Sequence, residues 1–281
     1  MGEDGVASYA SSVSNLEKDP VEIDEVSTGS SGAVTVLDPR DVPLGGPRAM
    51  TVRRTLPQRS RSLIGAWCFI DHYGPDLVSE RGGMLVPPHP HTGLQTVSWL
   101  FAGEIDHRDS VGSHAPVRPG ELNLMTAGAG IAHSEVSTAA TTVLHGAQLW
   151  VALPESARNG SPAFESYVPQ PFAVGAATVR VFIGELAGAA SSATVFSRLL
   201  GAQVDLPAGA SVTFDVDAGF EHGILVDAGD VAVEGVAVPV SHLGYVPQGR
   251  STLTIETGGE AARVLLLGGE PLGERIVMWW N

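Results

Sequence analysis

The sequence predicts an all-β protein. Its apolar segments are short and are cut repeatedly by Gly, Pro and Asp, the spacing of strands and turns. Glycine (34 residues) and proline (19) are abundant, while charged residues are only 17%, a balance that favours turns over long helices. No long stretch repeats its apolar residues with a helical period.

The elements follow in order. Residues 1–32 are polar, acidic and Ser/Gly-rich, and are expected to be a disordered leader. From Ala33 onward come the strand candidates Thr35–Leu37, Leu94–Phe101, Leu122–Met125, Val143–Leu153, Val179–Ile183, Gly223–Val226, Val231–Val240 and Ala262–Leu267. Their regular alternation with turn residues predicts sandwiches or barrels. Pro154–Pro171, with Asn159-Gly160-Ser161-Pro162 and Val168-Pro169-Gln170-Pro171, reads as a linker between two β-rich halves. Leu122–Glu135 overlays Leu243–Glu256 without a gap, suggesting that the halves are distant copies. In that overlay His133 falls on Thr254 and Glu135 on Glu256.

Composition excludes several functions. The formal net charge is −15, and residues 1–25 carry seven of the acids. The remainder is still acidic, so no general nucleic-acid surface is expected. Cys68 is the only cysteine, so no intramolecular disulfide forms. No basic start followed by an apolar run marks a secretory signal, and no apolar stretch is long enough to span a membrane. A soluble, cytoplasmic, monomeric protein is expected. Lys18 is the only lysine, and with the abundant Ala and Gly this suggests a GC-rich bacterial genome.

The chemistry resides in two i,i+2 pairs. His89 and His91 lie in Pro-Pro-His-Pro-His-Thr-Gly, and His133 and Glu135 in Gly-Ile-Ala-His-Ser-Glu-Val. Residues two apart on a strand share a face, so each pair converges if both strands line one interior. Three imidazoles and a carboxylate suit one divalent first-row metal, and a six-coordinate ion would keep two positions open.

These residues sit within a longer series of motifs: Phe69-Ile-Asp-His-Tyr-Gly-Pro75, His89-Pro-His-Thr-Gly-Leu-Gln-Thr-Val97, Gly103-Glu-Ile-Asp-His-Arg-Asp-Ser110, Met125–Glu135, His145-Gly-Ala-Gln-Leu-Trp-Val151 and Gly269-Glu-Pro-Leu272. In this order they resemble the pirin family, of the bicupin branch of the cupin superfamily, over roughly residues 40–280. The resemblance implies two tandem jelly-roll-type β-barrels: a metal-binding domain over 33–155 and a degenerate one over 156–281. It implies metal ligands at His89, His91, His133 and Glu135, with iron(II) first and copper, nickel, manganese or zinc as alternatives. It further implies either a quercetin 2,3-dioxygenase-like enzyme acting on a flavonol-like aromatic substrate, with Glu135 as the catalytic base, or a regulatory module binding a protein partner. Two positions depart from the family: Thr92 stands where pirins usually carry Arg, and Gln95 where cupins carry Glu. Pirin chains usually continue past Met-Trp-Trp-Asn, so an end at Asn281 reads as a shortened form.

Other residues carry weaker signals. His107, between charged neighbours, reads as a turn residue. His145 reads equally as a core histidine or a hydrogen-bond partner of the site. His72 and Tyr73 are expected near the pocket, and His114, His222 and His242 as structural. Arg48, Arg53, Arg54, Arg59 and Arg61 read as a solvated hairpin edge, and Cys68 as a small buried hydrophobe. Gly128-Ala-Gly130 lacks the third glycine and following helix of a nucleotide loop.

Overall fold

A computed structural model describes residues 34–44 and 50–277. The leader, Arg48 and the last four residues lie outside them. The first strands are β1 (Thr35–Leu37), β2 (Arg40–Leu44), β3 (Met50–Leu56) and β4 (Trp67–Leu77). One helical turn, α1 (Val78–Arg81), precedes β5 (Leu85–His91), β6 (Leu94–Ala102), β7 (Ile105–Asp109) and β8 (His114–Val117). Then come β9 (Leu122–Thr126), β10 (Ile131–Ser137), β11 (Val143–Ala152) and β12 (Ala163–Tyr167). The second half holds β13 (Phe172–Val174), β14 (Ala177–Ile183), β15 (Glu185–Leu186), β16 (Ala189–Ala190), β17 (Leu199–Leu206) and β18 (Ser211–Asp215). It ends with β19 (Glu221–Ala228), β20 (Val231–Val233), β21 (Val236–Val238), β22 (Leu243–Val246), β23 (Thr252–Thr257) and β24 (Ala262–Gly269). No helix among the described residues is long and apolar enough to cross a membrane.

Each half is a jelly-roll sandwich rather than a closed barrel. The first stacks a large sheet, β12-β9-β6-β11-β4-β3-β2, on a small one, β5-β10-β7-β8. The second stacks β1-β22-β19-β24-β17-β14-β13 on β18-β23-β20-β21. Strand for strand the two orders coincide, so β9 and β10 correspond to β22 and β23, the segments aligned by the overlay. The outermost positions are exchanged between halves. β1, from the start of the described chain, pairs with β22, and β12, from the linker candidate, pairs with β9.

The alternation of side chains along strands explains how the halves join. One face of each large sheet packs against the other large sheet, in a core containing Trp67, Val97, Trp99, Leu149, Phe182, Leu225, Leu265 and Leu267. Trp99 stacks on Phe182 with centroids 4.5 Å apart and donates its indole N–H to Gln203 Oε1 at 2.9 Å. The Trp67 N–H reaches the Gly268 carbonyl at 3.1 Å. Large buried aromatics with satisfied N–H groups across a boundary make it a true core. The opposite face of each large sheet covers its own small sheet.

A buried charge cluster ties the same boundary. Asp227 on β19 is 4% exposed. Its Oδ1 lies 2.7 Å from His72 Nε2 and 2.6 Å from His145 Nε2, and its Oδ2 accepts from Arg263 Nε at 2.7 Å. His72 Nδ1 lies 3.3 Å from the Arg53 guanidinium and 3.1 Å from Ser241 Oγ. Arg53 can only donate, so His72 Nδ1 accepts and its Nε2–H donates to Asp227. His72 thus belongs to the joint between halves.

Of the arginine run, Arg59 is exposed as expected, but Arg54 and Arg61 are not a solvated edge. Arg54 forms a bidentate pair with fully buried Asp71 at 2.6 and 2.7 Å. Arg61 meets Glu221 at 3.3 Å and lies 3.6 Å over the Tyr245 ring. These side chains turn inward because Asp71 and Glu221, both buried, need counter-charges. Cys68 is 1% exposed, and burial pushes its thiol up to about 12, as suits a small core residue.

Asp227→Ala leaves Arg263 without its carboxylate inside the boundary. Removing one partner of such a buried network is expected to destabilise the protein by about 3–5 kcal/mol. Chemical denaturation followed by tryptophan fluorescence checks this, since Trp67 and Trp99 report the same boundary.

Candidate metal centre

The small sheet of the first half presents its inner face to the large sheet, and both His/Glu pairs lie on that face. His133 on β10 stands directly opposite His89 on β5, and Glu135 opposite His107 on β7. A register shift falls between His133 and Glu135, so that His133 stands opposite His89 and Glu135 opposite Val86 on β5. The turn that starts β10 is held by backbone alone: Gly128, at φ +52°, sits where a Cβ would lie 2.2 Å from the Gly160 carbonyl oxygen. Gly128-Ala-Gly130 is therefore a packing turn beside the site.

The three histidines converge. One nitrogen each of His89, His91 and His133 lies within 4.8 Å of the others, and the Nε2 atoms of His91 and His133 are 3.1 Å apart. Two nitrogens about 2.1 Å from one ion, at right angles, lie about 3 Å apart. The donor spacing therefore fits a shared ion. Glu135 groups with His133 and His107 within the same 4.8 Å limit, so His133 joins two overlapping triads. His107 is 2% exposed and part of this cluster, not a solvated turn residue. Its charged neighbours Asp106 and Arg108 point outward and pair with each other at 2.8 Å, which is the alternation the local charge pattern concealed.

Burial holds His91, His133 and Glu135 toward their neutral forms. Burial lowers His91 to about 4, with His89 adding to the effect. Burial, then His89, His91 and His107, lower His133 to about 2. Both imidazoles are therefore neutral at neutral pH and keep a lone pair. Burial raises Glu135, the usual response of a carboxyl group removed from water.

Opposite this cluster, the large sheet forms three tiers fixed by strand register. Nearest His91 and His107 runs Phe69–Trp150–Thr96–Met125–Phe164. Trp150 stacks on Phe69 at 4.0 Å and meets His91 edge-on at 5.0 Å, while Phe164 stacks on His107 at 4.6 Å. The next tier is polar: Arg54–Asp71–Gln148–Ser98–Asn123–Ser166. Ser98 Oγ lies 3.1 Å from Glu135 Oε1 and 2.9 Å from Gln148 Oε1. Both polar atoms of Asn123, which is 2% exposed, lack a partner. Below comes an apolar tier with Val52, Tyr73 and Leu100. The sequence did not single out Ser98, Gln148, Asn123 or Phe164; period-2 alternation alone could have placed them on the inner face.

Other expectations resolve plainly. Gln95 donates to Thr126 Oγ1 and the Thr194 carbonyl and does not reach the cluster. Thr92 is exposed at the turn after His91. His145 joins the Asp227 cluster, His114 pairs with Asp106 at 2.6 Å, and His242 meets the Val240 carbonyl at 3.0 Å. In the second half the inner face of the small sheet is apolar: Val212, Phe214, Val231, Val233, Leu253 and Ile255. Glu256 is exposed, so the gapless overlay matches the right strands but is out of step with their faces. A cavity of about 510 Å³ lies between the halves, lined by Phe101, Pro171, Arg180, Asp205 and Arg263 among others, and no residue of the histidine cluster lines it.

Comparison with known proteins shows the family. The family model described as Pirin matches residues 49–151, and that described as the Pirin C-terminal cupin domain matches 201–281. A Pseudomonas aeruginosa protein named "Putative quercetin 2,3-dioxygenase" is 43% identical over 243 residues, covering 86% of this chain and 76% of its own. The crystal structure of a quercetin 2,3-dioxygenase from Acinetobacter baumannii superposes with a TM-score of 0.84 at 36% identity, covering 88% of this chain and 82% of that one. A bacterial pirin from Escherichia coli, solved in complex with nickel(II), shares the fold at a TM-score of 0.66 and 21% identity, covering 85% of this chain and all of that one.

The histidine shifts set a pH dependence. In the unfolded chain a histidine takes its proton near pH 6.5. In the folded, metal-free chain His91 and His222 take theirs only at about 4, and His133 at about 2. Between those values the unfolded state binds more protons, so stability is full above about pH 6.5 and falls as the pH drops. Each group contributes on the order of 1 kcal/mol per pH unit. Urea denaturation of metal-free protein from pH 7.5 to 4.5 measures this, and a flat profile contradicts it.

Proposed function

Because the chain belongs to the pirin family, we propose that it holds one divalent transition metal on His89, His91, His133 and Glu135, and that it oxidises a flavonol-like aromatic substrate with dioxygen. The observation that carries this reading is the convergence of three imidazoles, one of which also groups with a buried carboxylate, opposite an aromatic tier. Iron(II) is the first choice of metal, with copper, nickel, manganese or zinc compatible with the same donors. When bound, the ion supplies Lewis acidity and, for a redox-active metal, one-electron chemistry.

The protein's own residues do the rest. Trp150 and Phe164, against His91 and His107, give flat apolar surfaces suited to an aromatic ring. Ser98 holds one oxygen of Glu135. Glu135 is the carboxylate placed to take the proton of a substrate hydroxyl. The similarity to proteins named quercetin 2,3-dioxygenase supports the substrate class.

A second reading is a metal-responsive module that binds a protein partner. It draws on the cavity between the halves, which lies apart from the histidines and offers Arg180, Asp205 and Arg263 to a partner. The two readings diverge in one measurement, oxygen uptake with a flavonol.

Elemental analysis after loading is expected to give one ion per chain, since the corresponding interior of the second half is apolar. His91→Ala and His133→Ala are expected to lose that ion while circular dichroism stays unchanged, because two apolar cores hold the fold without it. Metal-loaded wild type is expected to consume oxygen with quercetin. At matched metal occupancy, Glu135→Gln is expected to lower the rate by about 10²-fold or more. Silence of the wild type with every metal favours the partner-binding reading. Full activity of Glu135→Gln removes the role given to that residue.

A further inference from the structure

His107 and Asp109 lie behind His133 in an arrangement that the four-ligand reading does not use. We propose that they form a hydrogen-bonded relay that fixes the tautomer and orientation of His133 as a metal ligand. This rests on the metal site proposed above and extends it by two residues.

The two nitrogens of His133 face opposite ways. Nε2 lies 3.1 Å from His91 Nε2, on the side of the proposed ion, and Nδ1 lies 3.5 Å from His107 Nδ1. On its far side, His107 Nε2 lies 3.3 Å from Asp109 Oδ2. The Asp109 side chain is 0% exposed, and its Oδ1 accepts the backbone N–H groups of Val111 at 3.0 Å and Ser113 at 2.9 Å. These bonds fix the carboxylate on the β7–β8 turn with Oδ2 aimed at His107.

The direction of the relay follows from donor chemistry. A carboxylate can only accept, so in its neutral form His107 carries its proton on Nε2 and leaves a lone pair on Nδ1. That lone pair can only accept from His133, so His133 carries its proton on Nδ1. Its Nε2 is then bare and turned toward His91, the form that binds a metal. The ring of His107 is itself held by its stack on Phe164, 4.6 Å away and 22° from parallel, and by its place opposite Glu135. Outer partners of this kind commonly set ligand orientation and metal affinity. Here an imidazole is interposed between the ligand histidine and the carboxylate.

Two variants test the relay in the full chain. His107→Phe keeps a flat ring against Phe164 and removes the acceptor. Asp109→Asn retains an oxygen for Val111 and Ser113 but turns an NH₂ group toward His107 Nε2. His107 then presents an N–H to the N–H of His133, and the relay is broken without loss of shape. Zinc(II) titrated calorimetrically into metal-free protein is expected to bind each variant about 10–100-fold more weakly than wild type. In cobalt(II)-loaded wild type, proton NMR is expected to show a shifted, solvent-protected imidazole N–H from His133, lost in Asp109→Asn. That resonance distinguishes the relay from a merely structural role, and it serves if His107→Phe does not fold. Affinity within twofold of wild type, with the N–H retained in Asp109→Asn, overturns the relay while leaving the metal site intact. A wild type that binds neither zinc nor cobalt overturns the site, and the relay with it.

Discussion

Both faces of each large sheet are buried, and that constraint organises the molecule. A strand can serve two interiors only by alternating strictly, since successive side chains point to opposite faces. On β6, Val97 and Trp99 enter the joint between the halves, while Thr96 and Ser98 face the histidine sheet. On β11, Ala147 and Leu149 do the first and Gln148 and Trp150 the second. One residue of slip in either strand would exchange the two sets. It would put Ser98 and Gln148 into an apolar core and Trp99 beneath Glu135. The joint between halves and the face opposite the histidine cluster of the first half are thus held in register by the same ladders.

Much of this was legible in the sequence. The all-β class, the two halves and the spacing of His89, His91, His133 and Glu135 need only local rules: turn residues between short apolar runs, and a period of two. The two pairs were readable because both members of each lie on one strand. His107 was not, for a physical reason. Its significance comes from standing across a ladder from Glu135, and its neighbours Asp106 and Arg108 are charged because they occupy the outer face. The inward arginines were hidden likewise, since their partners Asp71 and Glu221 are distant in the chain. Strand spacing left sandwich and barrel open, because it carries no information on whether two sheets join along an edge; each half is a jelly-roll sandwich.

The two halves show one scaffold with two kinds of interior. Strand order is the same in both, yet the inner face that carries His89, His91, His107, His133 and Glu135 in the first carries Val, Leu, Ile and Phe in the second. Polar groups in such an interior are costly unless they bind something. Filling it with aliphatic residues removes that cost. The second half then serves as a support: it supplies the other side of the joint, including Phe182, Gln203 and Asp227.

The exchange of β1 and β12 between the halves bears on how the chain is assembled during synthesis. Thr35–Leu37 leaves the ribosome long before its pairing partners, Leu243–Tyr245, are made. Until then the edge of this segment has nothing to dock on, and the second sandwich is incomplete without it. Contacts between residues so far apart in the chain form late and slowly. The first sandwich faces no such wait, because β12 follows directly on the strands it joins. The order of translation therefore favours a nascent chain whose histidine-bearing half is complete while its supporting half still lacks an edge.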